Sequence, residues 1–213
     1  TMLIYINRAK FLVFIIFVTV TNSVAQSTYF GEAGTGVSTF GRSIEFLAAS
    51  SKFTPRISIT TRIGTIIPLK LDHHHISIAL DYQYSQTGYS VYDKPSRTTV
   101  KDKIFLTFLG ASCNYQIVLP RKDFTLALGT GYHRIVRHRY FNEQAAFYAG
   151  LRSRIGNENI NRNGIFLLFM AGKNISDHSQ LNLQYQQYLT STYSFIFWPK
   201  RLATFTLNYR HTI

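Results

Sequence analysis

Four charged residues stand on the polar side of segments whose other side is apolar: Arg62, Asp81, Arg210 and Glu45. Charges of opposite sign that share an interior can pair, and pairing is what makes a buried charge tolerable. These four are the expected charge network of the fold. Three further histidines, His73, His74 and His75, are the obvious metal candidate. Consecutive strand residues point to opposite faces, so only His73 and His75 could share a side, with Asp72 the only near third ligand. The reading is a solvated turn and no metal site. A basic run, H-R-I-V-R-H-R-Y from His133 to Tyr140, carries Arg134, Arg137 and Arg139, and Lys101, Lys103 and Arg201 are predicted at the same end of the fold. A guanidinium grips phosphate in two-point fashion. These six residues are the candidate contacts to phosphates of a partner surface.

Catalysis has a weaker basis. A lipid A-modifying enzyme would need a nucleophile, a base and an orienting acid together. His133 and His138 are available bases, with Ser85 or Ser90 and Asp93 or Glu143 as companions, yet no spacing ties them. No catalytic residue is assigned. G-E-A-G-T-G (31–36) has no helix after it, so a nucleotide site is not expected, and no cofactor is.

The elements that must position these residues follow from the pattern. Arg8 and Lys10 precede the apolar run F-L-V-F-I-I-F-V-T-V, and Ser23-Val24-Ala25 follows. That is a secretory signal, residues 1–25, too short in its apolar part to span a bilayer. The domain is then 26–213. The formal charge of +13 falls to +11 once Arg8 and Lys10 leave. On an exported chain it points to a phosphate-rich membrane surface, not to nucleic acid. The only cysteine is Cys113, so no internal disulfide holds the domain.

Two-residue alternation then recurs in segment after segment. Ile57, Ile59 and Ile63 alternate with Ser58, Thr60 and Arg62. Ile76, Ile78, Leu80, Tyr82 and Tyr84 alternate with Ser77, Asp81 and Gln83. The same holds for 109–117, 124–133, 181–186 and 202–213, and G-I-F-L-L-F-M-A (164–171) is read as a strand by its length. With a first strand in 29–40 or 43–49, the count is eight. Short connections alternate with longer ones at 86–102, 139–163 and 190–201. The expected fold is all-β: an eight-stranded antiparallel up-and-down transmembrane barrel. A membrane barrel turns its apolar face to lipid and its polar face to the lumen, and the charges above are too many for a soluble core. Tyr82, Tyr84, Tyr132, Tyr185, Tyr188 and Trp198 are expected in a lipid-facing girdle at the long-loop end. The amphipathic C-terminal strand, Leu202 to Ile213, is expected to pair with the first strand.

The order of segments also resembles a known family. I-S-I-A-L-D-Y-Q-Y-S-Q-T-G-Y (76–89) followed by I-F-L-T-F-L-G-A-S-C-N-Y-Q-I (104–117) is similar to the middle of the PorT-like outer-membrane β-barrels of Bacteroidetes. F-T-L-A-L-G-T-G-Y (124–132) resembles their glycine-containing fifth strand, and R-I-S-I-T-T-R-I-G-T-I-I-P-L (56–69) their second. The resemblance implies an eight-stranded barrel in the outer membrane of a Gram-negative bacterium. Some members of that family belong to a type IX secretion and gliding apparatus.

The expected role is therefore that of a structural or interaction barrel with a lumen filled by side chains. Its partners would be lipopolysaccharide and envelope proteins, met through loops 139–163 and 190–201. A lipid A enzyme and a soluble lipocalin-like barrel with an apolar lumen are the alternatives.

Overall fold

In the computed structural model, the residues described are 27–39, 44–45, 49–93, 98–119, 123–142, 161–190, 193–195 and 198–213. Side chains are described at 27–39, 55–88, 103–119, 123–139, 161–190 and 201–213. The signal segment lies outside these residues. Eight long strands form the ring: β1 (Thr28–Thr39), β2 (Arg56–Pro68), β3 (His74–Asp93), β4 (Thr98–Leu119), β5 (Phe124–Asn142), β6 (Asn163–Ser176), β7 (Ser179–Tyr188) and β8 (Ala203–Thr212).

Each strand pairs antiparallel with its neighbours in sequence, and β8 returns to β1. That seam runs from Phe30 opposite Thr212 to Thr39 opposite Ala203. The sheet is closed, as it must be where lipid offers no partner for a free strand edge. The first strand is 28–39. The second possibility, 43–49, is not in the ring: Ile44–Glu45 pairs with Ser50 and Ser51, and Ala49–Thr54 runs along the upper part of β3.

The strands are staggered. Stepping one way from Glu32, the cross-strand partners are Arg62, Asp81, Gly110 and His133. Stepping the other way they are Arg210, Gln180 and Asn174, whose N–H donates to the Asp123 carbonyl. The two routes reach the β5 chain ten residues apart, at His133 and at Asp123. Such a stagger tilts the strands and sets a narrow interior that side chains can fill.

The faces are inverted relative to a soluble protein. Outward-facing Ile63, Leu80, Leu128 and Leu207 are each more than half exposed, whereas inward-facing Arg62, Asn114, Asn208 and Arg210 are buried. This excludes the lipocalin-like alternative, which needs an apolar lumen inside a polar exterior.

Two sequence expectations change, and a third is borne out. Most of 86–102 is strand: β3 and β4 stay paired from His74 opposite Ile117 to Asp93 opposite Thr98. Its Thr, Tyr and Val residues favour extended chain even where the alternation of apolar and polar residues fades. Tyr188 faces the lumen and is 1% exposed, because it is an odd number of positions from the outward Tyr185. The uniformly apolar 164–171 is a strand with Ile165 and Phe169 outward and Phe166, Leu168 and Met170 inward. It has no polar face because its inner face packs against other apolar side chains. The segment F-N-E-Q-A-A-F-Y-A-G-L-R-S-R-I (141–155), which reads either as a short amphipathic helix or as an extension of the strands, lies outside the described residues beyond 142. Tyr193–Phe195 and Trp198–Lys200 make a small hairpin of their own, in which the side chain of Trp198 is not described.

Closure is open to a direct test. The protein folded in detergent should migrate on an SDS gel faster unheated than boiled. A Cys pair at Ala33 and Tyr209, opposite one another on the seam, should cross-link under oxidation and retain that faster form at higher temperature than the reduced protein.

Candidate functional site in the barrel lumen

The charges of the lumen lie along one row of cross-strand partners. Arg210, Glu32, Arg62 and Asp81 are successive neighbours on β8, β1, β2 and β3, alternating in sign. Opposite charges directly across a strand pair attract and like charges repel, so this order fixes each as a partner of the next. Glu32 accepts from Arg210 Nε at 2.7 Å, from Asn208 at 2.9 Å and from Asn182 at 3.2 Å. Its Oε1 also lies 3.5 Å from Arg62 Nη1. Arg62 donates to Asp81 Oδ1 at 2.7 Å, to Ser112 at 2.9 Å and to Gln184 at 3.3 Å. Arg210 also lies over the Phe30 ring, 4.4 Å from its centre. Two guanidinium groups and two carboxylates leave the quartet neutral, and the amides Asn182 and Gln184 of β7 and Asn208 of β8 add hydrogen bonds to Glu32 and Arg62.

The carboxylate that joins both arginines is Glu32, not Glu45. Glu45 sits in the short outlying strand, away from the ring, and its side chain is not among those described. Glu32 lies two residues after Phe30 on the inward face of β1, so parity identifies it once β1 is known to be 28–39.

The row continues past Asp81 through Gly110 to His133. A Cβ on Gly110 would collide with the His133 ring, so the glycine opens the space into which the imidazole leans. His133 Nδ1 lies 2.5 Å from the Tyr188 hydroxyl. Its Nε2 faces Asp81 Oδ2 at 3.8 Å, too long for a direct hydrogen bond, and neither atom has another partner. His133 is thus inside the barrel and 1% exposed, not at the rim where a base acting on lipid A would stand.

Towards the long-loop end the lumen is apolar on the side of β4 to β7, while Ser38, Ser58, Ser85 and Thr87 keep it polar on the side of β1 to β3. The rings of Phe108, His133, Phe166 and Tyr188 lie with centres 4.5 to 5.9 Å apart. Ile104, Leu106, Ile135, Leu168 and Leu202 complete this plug. Towards the short turns the lumen opens as a polar cup of about 610 Å³ whose lining includes Gln116, Thr125, Gln180 and Arg210. The interior is a blind vestibule with the charge row and the plug above it.

The basic residues proposed for phosphate contact whose side chains are described lie outside the lumen. Arg134, Arg137 and Arg139 are all exposed, although strict alternation would separate the first from the other two. The reason is a bulge: Thr107 pairs with Arg137 but Phe108 pairs with Ile135, which leaves Val136 as an extra residue on β5. A bulge shifts the parity of everything beyond it. Arg201 is exposed and Lys103 is half-buried, while the side chain of Lys101 is not among those described. Among the described residues, no group of three or more His, Cys, Asp or Glu side chains is arranged to hold a metal ion. Of the three turn histidines, His73 takes a left-handed conformation (φ 68°), and His74 Nδ1 meets the Tyr115 hydroxyl.

Closed sheet, apolar exterior and polar, charged interior define a transmembrane β-barrel of the outer-membrane type. A solved structure agrees in fold. OprG of Pseudomonas aeruginosa, an outer membrane protein, matches with a TM-score of 0.53 at 6% identity, over 88% of this chain and 96% of that one. Neisserial surface protein A matches with a TM-score of 0.46 at 15% identity, over 87% and 97%. Ail, the attachment invasion locus protein of Yersinia pestis, matches at 0.35 and 8% identity, over 88% and 99%. No protein-family model and no curated protein matches the sequence.

The weight carried by Glu32 is measurable. Glu32→Ala strands the buried Arg210, leaves Arg62 with the Asp81 carboxylate, and should destabilise the barrel by about 3–5 kcal/mol. The double variant Glu32→Met with Arg210→Met removes a pair together and should lose less than Glu32→Ala. Urea unfolding in lipid, followed by the heat-dependent gel shift, reads both.

Proposed function

We propose that this protein is a small barrel of the Gram-negative outer membrane that acts as a structural and interaction protein and not as a pore. The observation that carries this reading is the blocked lumen: the paired charge row and the aromatic plug occupy the interior of a barrel already too narrow for an open channel. What remains available to partners is the outer wall and the long-loop end, where β3, β4 and β5 reach 20, 22 and 19 residues. The segment order that resembles the PorT-like barrels supports a place in a secretion or gliding machine, docked through loops 139–163 and 190–201. Lipid A chemistry at His133 is disfavoured by its burial within the plug.

Lipopolysaccharide is the proposed lipid partner at the long-loop end. The exposed, bulge-aligned Arg134, Arg137 and Arg139 present a cationic stripe on the wall, where outer-leaflet phosphates would lie.

In a planar bilayer the wild type should show no steady conductance, whereas the triple variant Phe108→Ala, Phe166→Ala and Leu168→Ala, if still folded by gel shift, should pass small ions intermittently. A steady wild-type conductance would overturn the blocked-lumen reading. Changing Arg134, Arg137 and Arg139 together to Gln should lower the lipopolysaccharide that co-purifies with the barrel. Equal retention would remove that partner.

A further inference from the structure

The lipid-facing wall has a trough at the short-turn half. Ala171 is its floor. It is the small outward residue of β6, with Leu126 directly opposite on β5 and Leu183 directly opposite on β7. One step up the same face stands Phe169, flanked by Leu128 and Tyr185. These side chains enclose an apolar groove of about 620 Å³. One step down stands Lys173, exposed and outward, between Phe124 and Leu181. Phe124 opposes Leu119 at the last rung of β4 and β5, so Lys173 is at the rim of the barrel.

We infer that this trough and Lys173 form a binding site for one glycerophospholipid of the inner leaflet, with an acyl chain along Ala171 and the phosphate on the Lys173 ammonium. The inference rests on the membrane-barrel reading and goes beyond it. Short turns of such barrels face the periplasm, where the leaflet is phospholipid and not lipopolysaccharide, which decides between the two phosphate-bearing lipids. A lysine with an apolar stem along the wall can place its charge at headgroup level. The acids next to this rim in sequence, Asp123 and Asp177, line the polar cup and so leave Lys173 available to an external anion. A flat apolar wall would hold lipid only as solvent. Here a dent one side chain deep sits directly above a single cation, and the two together match the two parts of one lipid.

The test is native mass spectrometry of barrel released from nanodiscs of phosphatidylethanolamine and phosphatidylglycerol. The wild type should carry one phospholipid. Lys173→Gln should lower the bound fraction about fivefold, the scale expected for one lysine at an anionic headgroup, and Ala171→Phe should abolish it by filling the floor. Lys70→Gln, in the β2–β3 turn at the same end but on the opposite side of the ring, should leave retention unchanged. Each variant is first shown to give the heat-dependent gel shift, so that failure of the barrel is told apart from failure of the site. Unaltered retention in Lys173→Gln or Ala171→Phe, or equal loss in Lys70→Gln, would overturn the inference. So would a change of oligomeric state in Ala171→Phe, since the trough would then be a seam between copies.

Discussion

The Glu32 carboxylate is the interaction on which the interior depends. It sits on the first strand at the seam with the last, and its partners come from three other strands: Asn182 on β7, Asn208 and Arg210 on β8, and Arg62 on β2. Taking an ion out of water carries a penalty of several kcal/mol, and only good geometry with added hydrogen bonds offsets it. Here the geometry is supplied by the register itself. Because Arg210, Glu32, Arg62 and Asp81 are direct cross-strand partners, the ladder that closes the sheet also sets the charges in order. A slip of two residues at the seam would keep every side chain on its proper face but place Glu32 opposite Asn208 or Thr212. The charge row therefore specifies register where the hydrophobic pattern alone does not.

The same narrowness explains the division of the lumen. Eight staggered strands leave room for side chains and little else. In the middle of the barrel that room is taken by pairs of ions with amides around them. Nearer the long loops it is taken by rings, with Gly110 and Gly131 supplying gaps for His133 and Phe166. Tyr188 belongs to both regions, its ring in the plug and its hydroxyl on His133. The plug and the charge row are thus one continuous packing.

Much of this was legible in the residues. Strict alternation identified β2, β3, β5, β7 and β8, and the charged inner face separated a membrane barrel from a soluble one. Arg62, Asp81 and Arg210 could be picked out because each interrupts a run of neutral inward positions. Glu32 was missed for a local reason: T-Y-F-G-E-A-G-T-G-V carries three glycines and only weak alternation, so the periodicity that marks the other strands is faint in β1. The lengths of β3 and β4 were missed because strand pairing continues where lipid no longer selects side chains. The bulge at Val136 has no sequence mark either, since it is a relation between two strands and is visible only in their register.

The unequal strand lengths give the barrel a front and a back. β7 and β8 have ten residues each, while β3 and β4 have 20 and 22. With a rise of about 3.3 Å per residue and a tilt of about 40°, ten residues climb roughly 25 Å, the height of the apolar band of such a barrel. The shorter strands therefore end at the membrane surface, and the taller ones climb about as far again beyond it. Seen from outside the cell, one side is a flush edge and the other a parapet. The sheet itself is thus low on the side where the hairpin 193–200 joins β7 to β8 and high on the side of β3 and β4. Rotation about the membrane normal, irrelevant to a symmetric cylinder, then decides what this barrel can touch.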